Sequence, residues 1–376
     1  MPAAEPAPTL RVATFNVALN DDAAGGLIRR LEAGDADAGR IAAVLQRVRP
    51  DLVLLNEFDH DDAHRAADLF QRRCLEVPQP RGGAALHYRY RHLAPVNTGV
   101  PSGLDLDGDG RSDGPGDAWG YGRHPGQYGM LVLSRYPIDA AGVRTFRQLA
   151  WSGLPDAHRP VDPASGRPWH RDAVWRRLRL SSKSHWDVPV ATPLGELHFL
   201  VSHPTPPVFD GPEGRNAARN ADEIGFWRHY LSVGGDAAWL RDDAGRRGGL
   251  ATDARFVIAG DLNDDPVDGD GRHEAIVGLL GHPRLLHTPA PSSEGGAEAS
   301  RAYAGCGIRH RGEPAHVTGD FGPRTGTLRL DYVLPSIGLA VAGGGVFWPP
   351  AASPDAALAG ASDHRLVWID LRNPAD

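Results

Sequence analysis

A chain of 376 residues can bury a large core, and 41% hydrophobic with 23% charged residues is an ordinary balance for a globular protein. The formal charge of −7, with a pI near 6.2, excludes the basic footprint by which a protein holds nucleic acid through charge alone. No apolar run reaches the length that spans a bilayer, and 46 Gly with 32 Pro make the chain loop-rich without reaching the level of disorder.

The first nine residues, MPAAEPAPT, are expected to be a flexible tail. They carry neither a charged n-region nor an apolar h-region. They read as the mature end of an exported protein with a start Met, or as a native cytoplasmic tail. Short apolar runs then recur, each ending in polar residues: 11–17, 52–57, 130–134, 197–203, 256–261, 328–334 and 366–371. Their length and β-branched or leucine-rich content predict strands. Helical spacing predicts helices over 38–48, closed by Pro50, over 63–73 and over 216–231. Strand and helix alternate, so the fold class is α/β. No linker divides the chain, which reads as one domain over 10–372. Long connections at 93–127, 146–168 and 289–321 are expected to carry function. Cys74 and Cys306 fit one long-range disulfide in an exported protein, or two buried thiols.

The strand ends hold the chemistry. Asn16 ends ATFN, Glu57 ends LVLLNE, His203 ends FLVSH, and Asp261 and Asn263 end VIAGDLN. Asp331 lies in LRLDYV, and Asp363 and His364 in SDHR. Each alone is an ordinary turn or polar residue. Together, on six strands that share an edge, they would converge on one pocket. Carboxylate and amide oxygens suit Mg2+ or Mn2+, and no His/Cys cluster has zinc spacing. Oxygen ligands, two histidines and a carboxylate base are what metal-assisted attack of water on a phosphate ester requires.

ATFN, LVLLNE, FLVSH, GDLN, LDYVL and SDH, in this order, resemble the endonuclease/exonuclease/phosphatase superfamily over residues 10–371. The resemblance implies a four-layered sandwich, two mixed β-sheets face to face with helices outside, and a site at the strand ends. It implies that Glu57, with Asn16, holds the divalent ion and that Asp363 helps to hold or orient it. Asp261 would align or deprotonate the attacking water. Asn263 would donate to the phosphoryl oxygens, and His364, oriented by Asp331, would stabilise the phosphate. His203 would be a candidate acid for the leaving oxygen. No carboxylate partner for it is evident in the sequence.

Other features belong to this chain alone. DLDGDGRSD places Asp105, Asp107, Asp109 and Asp113 at positions one, three, five and nine of a calcium-type loop, with Gly110 at six. Gly116 stands where the bidentate Glu would be, so this is no EF-hand. A Ca2+-stapled loop of another kind and an Asp/Gly-rich turn are the two readings, and the first favours export. Lys183 is the one lysine among 40 basic residues. Lys183, His185 and the neighbouring Trp186 are candidates to grip a phosphorylated group, as are Arg215 and Asn216 at a helix start. Asp264 and Asp265 are read as turn residues.

These residues predict a divalent-metal-dependent phosphoesterase, monomeric and exported, that takes a phosphate-ester substrate of small or medium size. A secreted nuclease acting on nucleic acid is the next candidate. A cytosolic DNA-repair endonuclease and a non-enzymatic calcium-dependent binding module are further alternatives.

Overall fold

The computed structural model describes residues 8–374, so most of the expected N-terminal tail lies outside the described residues. In chain order the strands are β1 (Leu10–Leu19), β2 (Leu52–Phe58), β3 (Tyr90–His92), β4 (Met130–Ser134), β5 (Arg144–Thr145), β6 (His185–Thr192), β7 (Gly195–Ser202), β8 (Phe256–Asp261), β9 (Gly319–Asp320), β10 (Thr327–Leu328), β11 (Asp331–Pro335), β12 (Ala340–Val346) and β13 (Val367–Arg372). One large sheet has the order β12-β13-β1-β2-β4-β3 and the other β11-β8-β7-β6-β5, while β9 and β10 form a two-stranded ribbon. Both are mixed: β1 and β2 run parallel, as do β7 and β8, and their other neighbours are antiparallel.

Alternation along each strand builds the layers. Leu10 and Val12 of β1, and Leu52 and Leu54 of β2, meet Phe199, Val201, Val257 and Ala259 of the other sheet in a buried inter-sheet core. The opposite residues, Ala13, Phe15, Val17, Val53 and Leu55, pack under α1 (Gly26–Ala33), α2 (Ala36–Val48) and α3 (Arg65–Phe70). On the far side the one-turn α4 (Asp172–Trp175) adds Trp175 to a cluster in which Leu200, Phe256, Ile258 and Tyr332 pack against α5 (Arg215–Tyr230) and α6 (Glu274–Leu280), through Trp227, Tyr230 and Ile276. The arrangement is the four-layered sandwich implied by the resemblance.

Several boundaries differ from the sequence expectation. The segment 289–321 is not all loop. It carries α7 (Glu294–Gly305), capped by the Ser293 hydroxyl accepting from the Gly296 N–H. Its Gly/Ala-rich sequence hides the period. The expected strand 328–334 is broken at Arg329 and Leu330. The Arg329 N–H donates to Asp265 and the Leu330 N–H to the Thr318 hydroxyl, which diverts the ladder into side chains. The helix expected to reach residue 73 gives way after Phe70 to a π-helical turn over Gln71–Leu75. Cys74 is buried and Cys306 exposed, and both are free thiols, so no disulfide joins them.

Candidate functional site

At one end of the sandwich the inward-facing stripe turns from apolar to polar. By parity Asn16 follows Leu10 and Val12, Asn56 follows Leu52 and Leu54, Asp261 follows Val257 and Ala259, and His203 follows Phe199 and Val201. Asn16 is in register with Asn56 across the parallel pair, and Asp331 with Asp261 across the antiparallel one. Each sheet therefore delivers polar groups to the same mouth. Glu57 breaks the alternation. Its φ of 57° lies in the left-handed region, which a glutamate adopts only under constraint, and Asn263 at 56° does the same after β8.

Asp261 is the hub. Its Oδ2 accepts from Asn16 Nδ2 at 3.0 Å and lies 3.4 Å from His203 Nε2 and 3.5 Å from His364 Nε2. Its Oδ1 accepts from the Asn263 N–H at 3.0 Å. Asn16 Nδ2 also donates to Glu57 Oε1 at 3.1 Å, and Asn20 Nδ2 donates to Glu57 Oε2 at 3.0 Å. His364 Nδ1 pairs with Asp331 Oδ2 at 2.8 Å, which in turn accepts from the Thr318 hydroxyl at 2.7 Å. Phe321 packs edge-on to the His364 ring. The Asn56 side-chain oxygen Oδ1 accepts from the Asp261 N–H, locking the end of β8 to β2.

Charge follows from burial and neighbours. Burial alone would push Asp261 up, but the His364 charge, the His203 contact and the Asn16 amide hold it well below the usual carboxylate range. Burial disfavours charge on His364, yet Asp331 and Asp261 flank it and raise it well above an ordinary histidine. Burial raises Asp331 to about 6. His203 is lowered by burial and by Lys183, and its Nδ1 is buried with no hydrogen-bond partner among the described residues. The site thus holds an imidazolium at His364, a carboxylate at Asp261 and a neutral ring at His203. The residues also fit a hard divalent ion. The carboxylate oxygens of Glu57 and Asp261 supply hard donors, and the fold already sets the positive end of the Asn16 amide between them, where a cation would sit.

Other expected residues fall in several places. Lys183 is buried at the site. Burial lowers its ammonium against the opposing pull of Glu223, Glu57 and Asp261. His185 does not face the site. It is 1% exposed, bonded to Ser181 Oγ and the Glu223 carbonyl, and packed on Phe226 and Trp227, so it is a core residue, as is Trp186. Arg215 donates to the Leu106 carbonyl and Asn216 Nδ2 to the Val208 carbonyl. The first free N–H groups of that helix, at Asn216 and Ala217, are already capped by Asp210. These two residues anchor loops and leave no anion site. Asp363 is exposed, with its carboxylate recorded against the Ser362 hydroxyl. One Asn263 amide hydrogen goes to the Pro204 carbonyl, which leaves the second for a ligand. Asp265 is a turn residue, accepting from the Val267 and Asp268 N–H groups, but Asp264 is buried, 1% exposed, with burial raising it to about 7.

In the acidic loop Asp105, Asp107 and Asp109 bring carboxylate oxygens within 4.8 Å of one another. Asp113 turns away and pairs with Arg111. Asn20, Asn56, Thr318 and Glu223 went unrecognised in the sequence. Asn56 stood inside LVLLNE beside Glu57, while Thr318 and Glu223 carry no signal until the fold is known.

A family model described as Endonuclease/Exonuclease/phosphatase family matches residues 13–364. No curated protein sequence matches the chain. Among solved structures the chain is similar to an endonuclease/exonuclease/phosphatase from Beutenbergia cavernae, at 20% identity and a TM-score of 0.51, covering 97% of this chain and 72% of that one. It is also similar to sphingomyelinase C from Streptomyces griseocarneus, at 17% identity and a TM-score of 0.47, covering 96% and 99%. The human nocturnin catalytic domain follows at 14% identity and a TM-score of 0.47, covering 97% and 94%. At such identities the likeness speaks to the fold alone. With the family model matched across nearly the whole chain, this protein belongs to the endonuclease/exonuclease/phosphatase family.

Proposed function

We propose that the chain is a divalent-metal-dependent phosphoesterase that hydrolyses a P–O bond by attack of water, acting on a small or medium phosphoester. The observation that carries this reading is the single carboxylate, Asp261, shared by Asn16, His203 and His364, with Asp331 buried behind His364. Glu57 and Asn16 would hold Mg2+ or Mn2+. When bound, such an ion supplies Lewis-acid stabilisation of charge on the phosphoryl oxygens. Asp261, kept ionised, orients the water and accepts its proton. His364, kept protonated between two carboxylates, donates to a phosphoryl oxygen as charge builds there. The free amide hydrogen of Asn263 and the Lys183 ammonium point to the same task. His203 has no group at Nδ1 to sustain an imidazolium, so we assign it to orienting Asp261 and not to protonating the leaving oxygen. Asp105, Asp107 and Asp109 are proposed as a structural Ca2+ site, for which calcium titration of the intact protein and of Asp107→Ala is the measurement.

The acidic balance of the chain favours a small phosphoester over nucleic acid. Turnover of bis(p-nitrophenyl) phosphate, p-nitrophenyl phosphate and plasmid DNA in Mg2+, with and without chelator, tests the assignment. Chelator-sensitive turnover is expected, reduced about 100-fold or more in Asp261→Asn. A folded protein that turns over none of the three, or an Asp261→Asn variant as active as the parent, would overturn it. Preferential cutting of plasmid DNA would move the assignment to a nuclease.

A further inference from the structure

Helix α5 lies behind the site on the outer face of the second sheet, and one side of it is polar where a helix on a sheet is normally apolar. Glu223, on this side, is 0% exposed. Its Oε1 accepts from the Ser182 N–H at 2.6 Å and the Ser182 hydroxyl at 3.0 Å. Its Oε2 accepts from the Thr205 N–H at 2.6 Å. Ser182 directly precedes Lys183, and Thr205 follows His203 by two residues. One carboxylate therefore spends both oxygens on two chain segments, each carrying a site residue. Asn220, nearly one turn earlier, donates through Nδ2 to the Thr205 carbonyl at 2.8 Å and the Leu262 carbonyl at 3.0 Å, which brings in the segment that follows Asp261. Arg219 donates to the Leu180, Arg179 and Trp119 carbonyls.

A buried carboxylate is costly, and apolar packing would stabilise this helix as well or better. Its place in this helix points to a role in geometry. We propose that Glu223 is a positioning residue that sets the spacing between the Lys183 and His203 segments and so holds both side chains toward the Asp261 carboxylate. The proposal rests on the reading of the site given above. Charge-assisted hydrogen bonds of this kind are short and directional, so the brace is stiff.

The neighbouring Asp222 is the internal control. It is equally buried and accepts from Trp151 Nε1, the His158 N–H and His158 Nδ1, but these partners belong to the 146–168 loop. Glu223→Ala, Glu223→Gln and Asp222→Asn are compared with the parent in two assays at a temperature well below every Tm. The first is steady-state turnover of bis(p-nitrophenyl) phosphate with Mg2+. Glu223→Ala is expected to lose at least tenfold in kcat and Glu223→Gln less, while Asp222→Asn stays within twofold. The second needs no activity: labelling of Lys183, the one lysine of the chain, by an amine-reactive reagent, with peptide mapping to set aside the terminal amine. Labelling should be slow in the parent and in Asp222→Asn, and several-fold faster in Glu223→Ala. If Glu223→Ala does not fold, the same comparison is read from Glu223→Gln. Equal loss of kcat in the Asp222 and Glu223 variants, or unchanged Lys183 labelling, overturns the proposal. If the parent turns over nothing, the phosphoesterase reading fails while the labelling still decides the brace.

Discussion

Away from the candidate site, one ionisable residue sets a pH dependence of its own. His198 Nδ1 lies 2.7 Å from Asp187 Oδ1, while Asp187 Oδ2 accepts from the Tyr230 hydroxyl at 2.5 Å. Burial lowers His198, but the hydrogen bond and charge of Asp187, with Glu196 beyond, outweigh it and leave the folded-state value raised. A histidine raised on folding contributes stability that is complete below its unfolded pKa of about 6.5. That contribution is lost as pH rises through the folded value. Tm should therefore fall as the pH is taken from 6 to 9, and the fall should be smaller in His198→Asn. Equal slopes in the two proteins would remove His198 as the cause. A second lesson at this scale concerns Lys183 and His185, which are close in sequence and alike in type. The first turns toward the carboxylates and the second into a cage of Phe226 and Trp227. Lys183 precedes β6, outside the alternation that His185 begins, and composition carries no trace of where that strand starts.

Among the elements, the strands of the two central sheets were the most legible and the long connections the least. An apolar run ending in Asn, Asp or His marks a strand and its chemistry together, because the inward stripe needs hydrocarbon between the sheets and polar groups where it meets water. Polar residues in or beside such runs singled out Asn16, Glu57, His203, Asp261 and Asp331, which the fold brings to one mouth. The rule could not find β6, whose run HWDVPVAT is interrupted by Pro189, nor β12, whose run AVAGGGV has too little side chain to show a period, nor the brace from α5, which exists only once the helix is docked. The 93–127 connection is irregular yet tightly specified. A Cβ added at Gly120 would sit 1.9 Å from the Ser182 carbonyl oxygen, and the Asn97 N–H donates to the Lys183 carbonyl. Gly120→Ala must push this loop off the Lys183 segment. It should cost about 1–3 kcal/mol in urea denaturation, with turnover falling in step. A variant of parental stability and turnover would mean that the contact is slack.

Across the whole molecule, the residues of the candidate site are divided between the sheets. The six-stranded sheet and its connections bring Asn16, Glu57 and His364, and the five-stranded sheet brings His203, Asp261 and Asp331. The only hydrogen bonds that knit the two halves at the mouth are a handful of polar ones, such as Asn16 to Asp261 and Asn56 to the Asp261 N–H, among the described residues. Below them the sheets are held by interdigitated hydrocarbon, which tolerates small sliding better than a hydrogen-bonded cluster does. Turnover should then vanish at a lower urea concentration than far-UV circular dichroism. Coincident transitions would argue that the sheets part only on global unfolding.

The division has an evolutionary corollary. Neither half of the sandwich carries the whole polar cluster, so a fragment or a duplicated sheet would lack part of the set on which the proposed activity rests. Selection for chemistry in such a molecule acts on the seam, and substitutions in the hydrocarbon that aligns the two layers are as exposed to it as the polar residues themselves.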